Sequence, residues 1–110
     1  ISALVGVHQF VRIGRYAMVA GLAGVNQDVL PFSTVEGTRA RLLSVNAVGL
    51  KRANFKPNVR AAIKKALKFI AQPELNTKQA VEKIEAEIEM FDEIHYLIDF
   101  IKNSSRGVTK

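Results

Sequence analysis

Nine of the sixteen lysines and arginines in this 110-residue chain fall between Arg39 and Lys68: Arg39, Arg41, Lys51, Arg52, Lys56, Arg60, Lys64, Lys65 and Lys68. By charge alone such a cluster fits a nucleic acid, a phosphorylated ligand or an acidic protein, or else it is a solvated face that keeps the chain in solution. Residues 1–70 carry eleven basic side chains against Asp28 and Glu36, a balance of +9, whereas residues 71–110 come to −3. Groups able to move a proton or ligate a metal are few. There is no cysteine, which removes disulfides and thiolate zinc sites and fits a reducing cytoplasm. The two histidines are His8, paired with Gln9, and His95, set between Ile94 and Tyr96 in an amphipathic stretch and read as structural. A metal-dependent enzyme with about three histidine ligands is set aside, because the first part of the chain offers one.

His8 and Gln9 are positioned by a stretch, Ile1 to Pro31, whose aliphatic residues recur every six positions. One column is Ile1, Val7, Ile13, Val19 and Val25; another is Val5, Val11, Ala17, Ala23 and Val29. That period marks a hexapeptide β-solenoid, in which each unit gives a short strand and a tight corner and the first-column side chain points inward. His8 and Gln9 then lie at a corner beside Val7, Gly21 reads as a corner glycine, and Gln27 with Asp28 as a hydrogen-bonding corner pair. Pro31, Phe32 and Ser33 are expected to break the ladder, and Glu36-Gly37 marks a turn. Five hexapeptides make roughly one and two-thirds coils, fewer than a solenoid needs to stand alone. The chain also starts in mid-repeat without methionine, so the expectation is the C-terminal piece of a longer protein, with an unpaired first edge. No apolar run reaches the roughly 18 residues that span a bilayer.

After a connector over residues 34–45, helical patterns take over for residues 46–110. Asn46 is a candidate N-cap for a short helix over NAVGLKRANF, which Gly49 weakens in its middle. Pro57 opens a clearer helix with an apolar stripe of Val59, Ala62, Ile63, Ala66, Leu67 and Ile70, leaving Lys64, Lys65 and Lys68 outside it. Pro73 ends that helix, and Asn76 or Thr77 caps the next. From there to Asn103 the pattern fits one long helix or two broken near Asp92. The fold class expected is β-solenoid plus α: a hexapeptide-repeat end over residues 1–33, the connector, then a helical domain.

The ordered words VHQF, GLAGVNQDVLPF, NAVGLKRANF and SSRG resemble the C-terminal part of the UDP-N-acetylglucosamine O-acyltransferase family, over essentially the whole chain. The resemblance implies a left-handed parallel β-helix that trimerises, with active sites in clefts between subunits. It implies transfer of a 3-hydroxyacyl chain from acyl carrier protein to the 3-hydroxyl of UDP-N-acetylglucosamine, the opening of lipid A biosynthesis, in the cytoplasm. No cofactor is implied beyond the carrier thioester, and neither a nucleic-acid partner nor a membrane span. The family's catalytic base is a histidine upstream of HQF, which neither His8 nor His95 matches, so the isolated 110 residues are expected to be inactive.

By the same resemblance His8 and Gln9 contact substrate, Asn46 the nucleotide and Arg52 the diphosphate, where a planar guanidinium suits bidentate phosphate binding. Gly21 matches the position that gauges acyl length; without a side chain there the groove is deeper and the preference longer. Two positions depart from the family: Ala53 stands where many relatives carry a second arginine, and Val48 where some carry an acid. Lys51 or Arg41 is placed to compensate. Lys64, Lys65 and Lys68 suit the acidic helices of the carrier protein. The competing reading is a non-catalytic module that binds an acidic protein.

Overall fold

The computed structural model describes residues 1, 5–7, 9–21, 23–105 and 107–110. Its strands are β1 (Gly6–Val7), β2 (Met18–Val19), β3 (Gly24–Val25), β4 (Ser33–Glu36) and β5 (Arg41–Val45). Its helices are α1 (Ala47–Arg52), α2 (Pro57–Ala71), α3 (Thr77–Glu87) and α4 (Asp92–Lys102).

Parallel pairing follows the hexapeptide columns, with one slip. Gly6 and Val7 lie beside Gly24 and Val25, eighteen residues on, which is three hexapeptides. Beyond that the separation drops to sixteen: Ile13 pairs with Val29, Met18 with Thr34 and Val19 with Val35. A strict register would set Val29 beside Val11, so the second pass of the chain is two residues short. Two residues are one full pleat repeat, so inward side chains stay inward. Val19, Ala23, Val25, Val29 and Val35 accordingly form one buried cluster, with Val5, Val11, Ile13 and Ala17 packed against it. The inward column is not buried throughout, since Ile1 and Val7 are 69% and 42% exposed. Burial needs a packed neighbour on each side, and only the later members have one. Among the described residues these ladders form separate two- and three-stranded sheets, not a closed solenoid.

The expected break at Pro31 does not occur. Pro31 sits buried at a corner, outside any strand, where its missing N–H costs nothing. Phe32 then takes a left-handed φ of 67° and donates its N–H to the Arg15 carbonyl at 2.8 Å, and β4 continues the ladder along β2. The stretch read as a connector is extended but paired. β4 and β5 form an antiparallel hairpin whose turn uses Gly37 at φ 101°, with a bulge between Thr34 and Val35.

Three different segments close the ladder edges. β5 covers β4. The 37–40 turn covers β3, with Gly24 N–H donating to the Gly37 carbonyl and Ala40 N–H to the Gly24 carbonyl. The chain end covers Asp28, where Val108 bridges in parallel, Asp28 N–H donates to the Gly107 carbonyl at 2.9 Å and Thr109 N–H to the Asp28 carbonyl at 2.7 Å. Gln27 and Asp28 both bond to the C-terminal tail, with Thr109 Oγ1 donating to the Gln27 carbonyl at 3.3 Å. The Asp28 carboxyl, 1% exposed, accepts from Arg12 N–H at 2.8 Å and from Ser104 Oγ at 2.6 Å, joining two passes of the ladder to the C-terminal tail.

The helices enclose the larger core, which includes Leu30, Phe32, Leu50, Ile63, Ile70, Ile84, Ile94 and Leu97. α3 and α4 are two helices, not one, because Ile88 is extended at φ −117°, ψ 137°. Asp92 and Glu93 then fall in the first turn of α4, where carboxylates complement the helix dipole. Ladder and helices meet at stacked aromatic rings: Tyr16 on Phe32 at 6.3 Å, Phe55 edge-on to both, and Tyr96 between Phe32 and Phe100. Arg12 and Arg15 lie over the Phe100 and Tyr96 rings, so both cations serve the junction. Among the described residues no helix is long and apolar enough to cross a membrane.

Candidate functional site

α1 brings two of the predicted contacts onto one short element. Asn46 caps its N-terminus, accepting from Gly49 N–H at 3.2 Å, and Arg52 lies exposed in its last turn. The cap is also a latch: Asn46 Nδ2 donates to the Tyr16 carbonyl at 2.9 Å, tying α1 to a corner of the ladder. Tyr16 holds that corner at φ 56°, a left-handed conformation costing a non-glycine residue roughly 1–2 kcal/mol. Gly49, which weakens the helix on propensity, is required by this latch. A methyl group there would collide with the Asn46 amide nitrogen and approach its Cγ to 2.9 Å. So one Asn fixes where Arg52 stands relative to the ladder. Ala53 is the C-cap of α1 and Val48 is 61% exposed, so neither departure from the family pattern is filled by a buried substitute.

Gln9 follows β1 and Gly21 precedes β3, both in exposed turns at opposite ends of the first ladder. His8 lies outside the described residues. His95 is exposed on α4, so it supports no core packing. A hollow of about 600 Å³ between residues 53–59 and residues 90–93 contains none of the predicted contacts. Among the described residues no group of three His, Cys, Asp or Glu could hold a metal.

The three lysines of α2 do not all face the same surroundings. Lys64 and Lys68 line a hollow of about 140 Å³ with Leu42, Leu43, Val45 and Leu67. Lys65 points elsewhere, 5.7 Å from the Phe69 ring, which Lys83 of α3 also approaches at 4.6 Å. Lys56 and Arg60 extend the row, since positions 56, 60, 64 and 68 fall on one inclined ridge of the helix. This ridge does not stabilise α2. Like charges four residues apart each cost about 0.2–0.5 kcal/mol. The N-cap is Lys56 with no side-chain hydrogen bond, and the first turn has no acid to oppose it. The spacing of four was visible in the sequence; that Leu43, 57% exposed, stands beside the ridge was not.

A hexapeptide-spaced ladder joined to a helical unit with a cationic ridge is the class of protein these features define. A family model described as UDP N-acetylglucosamine O-acyltransferase, domain 2, matches residues 28–109. The chain belongs to that family. It is 41% identical over 109 residues to the acyl-[acyl-carrier-protein]--UDP-N-acetylglucosamine O-acyltransferase of Anaeromyxobacter sp. (strain Fw109-5), covering 99% of this chain and 42% of that protein. The enzyme of the same name from Myxococcus xanthus (strain DK1622) is 37% identical over 110 residues, 43% of its length. In three dimensions the chain matches a UDP-N-acetylglucosamine acyltransferase from Bacteroides fragilis 9343 with a TM-score of 0.94 at 36% identity, over 98% of this chain and 42% of that one. The acyltransferase from Acinetobacter baumannii matches with a TM-score of 0.90 at 30% identity, over 97% and 42%. The chain thus spans about two fifths of the proteins it resembles.

Proposed function

We propose that this chain is the C-terminal segment of an acyltransferase that moves a 3-hydroxyacyl group from acyl carrier protein to the 3-hydroxyl of UDP-N-acetylglucosamine in the cytoplasm. The observation that carries this reading is the family match over residues 28–109, supported by the fold likeness to the acyltransferase from B. fragilis. In this reading the ladder is the end of a left-handed parallel β-helix, and three copies associate so that substrate sits between neighbours. That arrangement accounts for predicted contacts in exposed turns and on a surface helix, away from the hollow between α1 and the start of α4.

In the reaction a base removes the proton of the sugar 3-hydroxyl, the oxygen attacks the thioester carbonyl, and the carrier thiol leaves as the new ester forms. This segment supplies binding, not the base. His8 and Gln9 hold substrate, Arg52 pairs with the diphosphate, Asn46 contacts the nucleotide with the hydrogen-bonding capacity its latch leaves free, and Gly21 bounds the acyl groove. Lys64 and Lys68 receive the acidic carrier protein, and Lys65, turned toward Phe69, lies at the edge of that contact. The 110 residues alone carry no counterpart of the family's catalytic histidine and do not transfer acyl groups.

The test is to incubate the full-length protein with 3-hydroxyacyl carrier protein and UDP-N-acetylglucosamine and look for the 3-O-acyl product by mass spectrometry. Product from the full-length protein and none from the 110 residues is expected. The destabilising cationic ridge of α2 favours one other reading, a binding module for an acidic protein. That reading gains if the full-length protein binds the carrier yet forms no ester.

A further inference from the structure

We infer that the partner of the cationic ridge docks into the groove between β5 and α2, as an acidic amphipathic helix that inserts an apolar side chain beside Leu43. This rests on the acyl-transfer reading for the identity of the partner, acyl carrier protein, but its geometry comes from the groove itself.

Leu42, Leu43, Val45, Leu67 and Ala71 give the groove an apolar lining, and Lys64 and Lys68 give it charge. At about 140 Å³ it is well below the roughly 300 Å³ at which small-molecule pockets begin, so it suits an inserted side chain and not a nucleotide. β5 is the edge strand of its sheet, the order being β2-β4-β5. A bulge interrupts its pairing at Thr34 and Val35, which pair with Ser44 and Leu42, so Leu43 is the residue without a partner across the ladder. Leu43 is 57% exposed on a chain whose other leucines are largely covered where described. An exposed leucine beside Lys64 and Lys68 is unfavourable for the folded chain by itself and matches a partner that is acidic with an apolar edge. The ridge from Lys56 to Lys68 runs along α2, so a helical partner laid along it meets successive cations with one face.

The direction of Lys65 makes the inference specific. Diffuse attraction to a basic surface would use all three lysines alike; docking in this groove uses Lys64 and Lys68 and leaves Lys65, turned toward Phe69, at the periphery.

Binding of holo acyl carrier protein to the full-length protein, measured by titration calorimetry at two salt concentrations, tests this. Lys64→Glu and Lys68→Glu are each expected to weaken binding about tenfold and to flatten its salt dependence, and Lys65→Glu by less than about threefold. Leu43→Ser is expected to weaken binding about tenfold with the salt dependence unchanged, since it removes an apolar contact and no charge. Circular dichroism checks that each variant is folded, and Leu43→Met, which preserves the apolar contact, is expected to bind like the parent. Equal losses at Lys64, Lys65 and Lys68 with none at Leu43 would overturn the groove while leaving the carrier reading intact. No carrier binding by the parent protein overturns both. A change of oligomeric state in Leu43→Ser, with carrier binding intact, assigns the groove to a second copy and overturns the proposal.

Discussion

A single side chain decides more here than its type suggests. Asp28 is one of two acids in the first seventy residues, and it holds together three segments far apart in sequence through Arg12 N–H, Ser104 Oγ and the backbone of the tail. Replacing it with alanine removes two part-buried hydrogen bonds to a carboxylate, about 1–3 kcal/mol in all. Asp28→Ala is therefore expected to lower the denaturation midpoint clearly, with Ser104→Ala costing less because the Arg12 bond survives. At the proposed substrate contacts, Arg52→Lys retains the charge but loses the planar fork. It is expected to raise the KM for the nucleotide sugar about tenfold with a smaller change in kcat. Gly21→Met is expected to shift product toward shorter acyl chains when the full-length enzyme is offered a mixture of carrier thioesters. Unchanged chain-length selectivity there would refute the acyl-groove assignment.

Among the elements, α1 and α2 place their charges for different reasons. α1 is six residues long, too short to persist on its own, and is held by its cap, by Leu50 in the core and by the Asn46 bond to Tyr16. Asn46→Asp retains the acceptor for Gly49 N–H but loses the donor to the Tyr16 carbonyl, whereas Gly49→Ala pushes the whole side chain aside. Weaker substrate binding in both variants, with the helical circular dichroism intact, is the expected sign that the latch positions Arg52. α3 offers the contrast of a purely structural end. Asn76 and Gln79 form a reciprocal capping box at 2.8 and 3.0 Å, and Asn76→Ala is expected to cost about 1 kcal/mol in thermal unfolding without touching substrate or carrier affinity.

At the scale of the whole molecule, the ladder end is closed by parts of the chain that differ in structure. A hairpin strand, a turn and the C-terminal residues each cover one edge, which satisfies the pairing groups of β4, β3 and Asp28 on that side. Removing residues 107–110 from the full-length protein is expected to expose the edge at Asp28 and promote concentration-dependent aggregation, visible by light scattering. The same assembly divides the charge. Basic residues gather on α1 and α2, whereas acids outnumber bases on α3 and α4, so an acidic partner is drawn to the first two helices.

Features set by neighbouring residues could be read from the chain. The six-residue columns, the stripe of α2, the caps at Asn46 and Asn76 and the proline at the start of α2 depend on contacts within about one turn or one repeat, where side-chain spacing alone fixes the outcome. The family words rested on the same local order. Contacts between distant residues were decided only by the fold: the two-residue slip that sets Val29 beside Ile13, the bridge made by Val108, the pairing of the connector into a hairpin, and the turning of Lys65 away from Lys64 and Lys68. Each depends on which surfaces meet after the chain has folded back on itself, and a periodic pattern along one segment holds no information about the segment that will cover it.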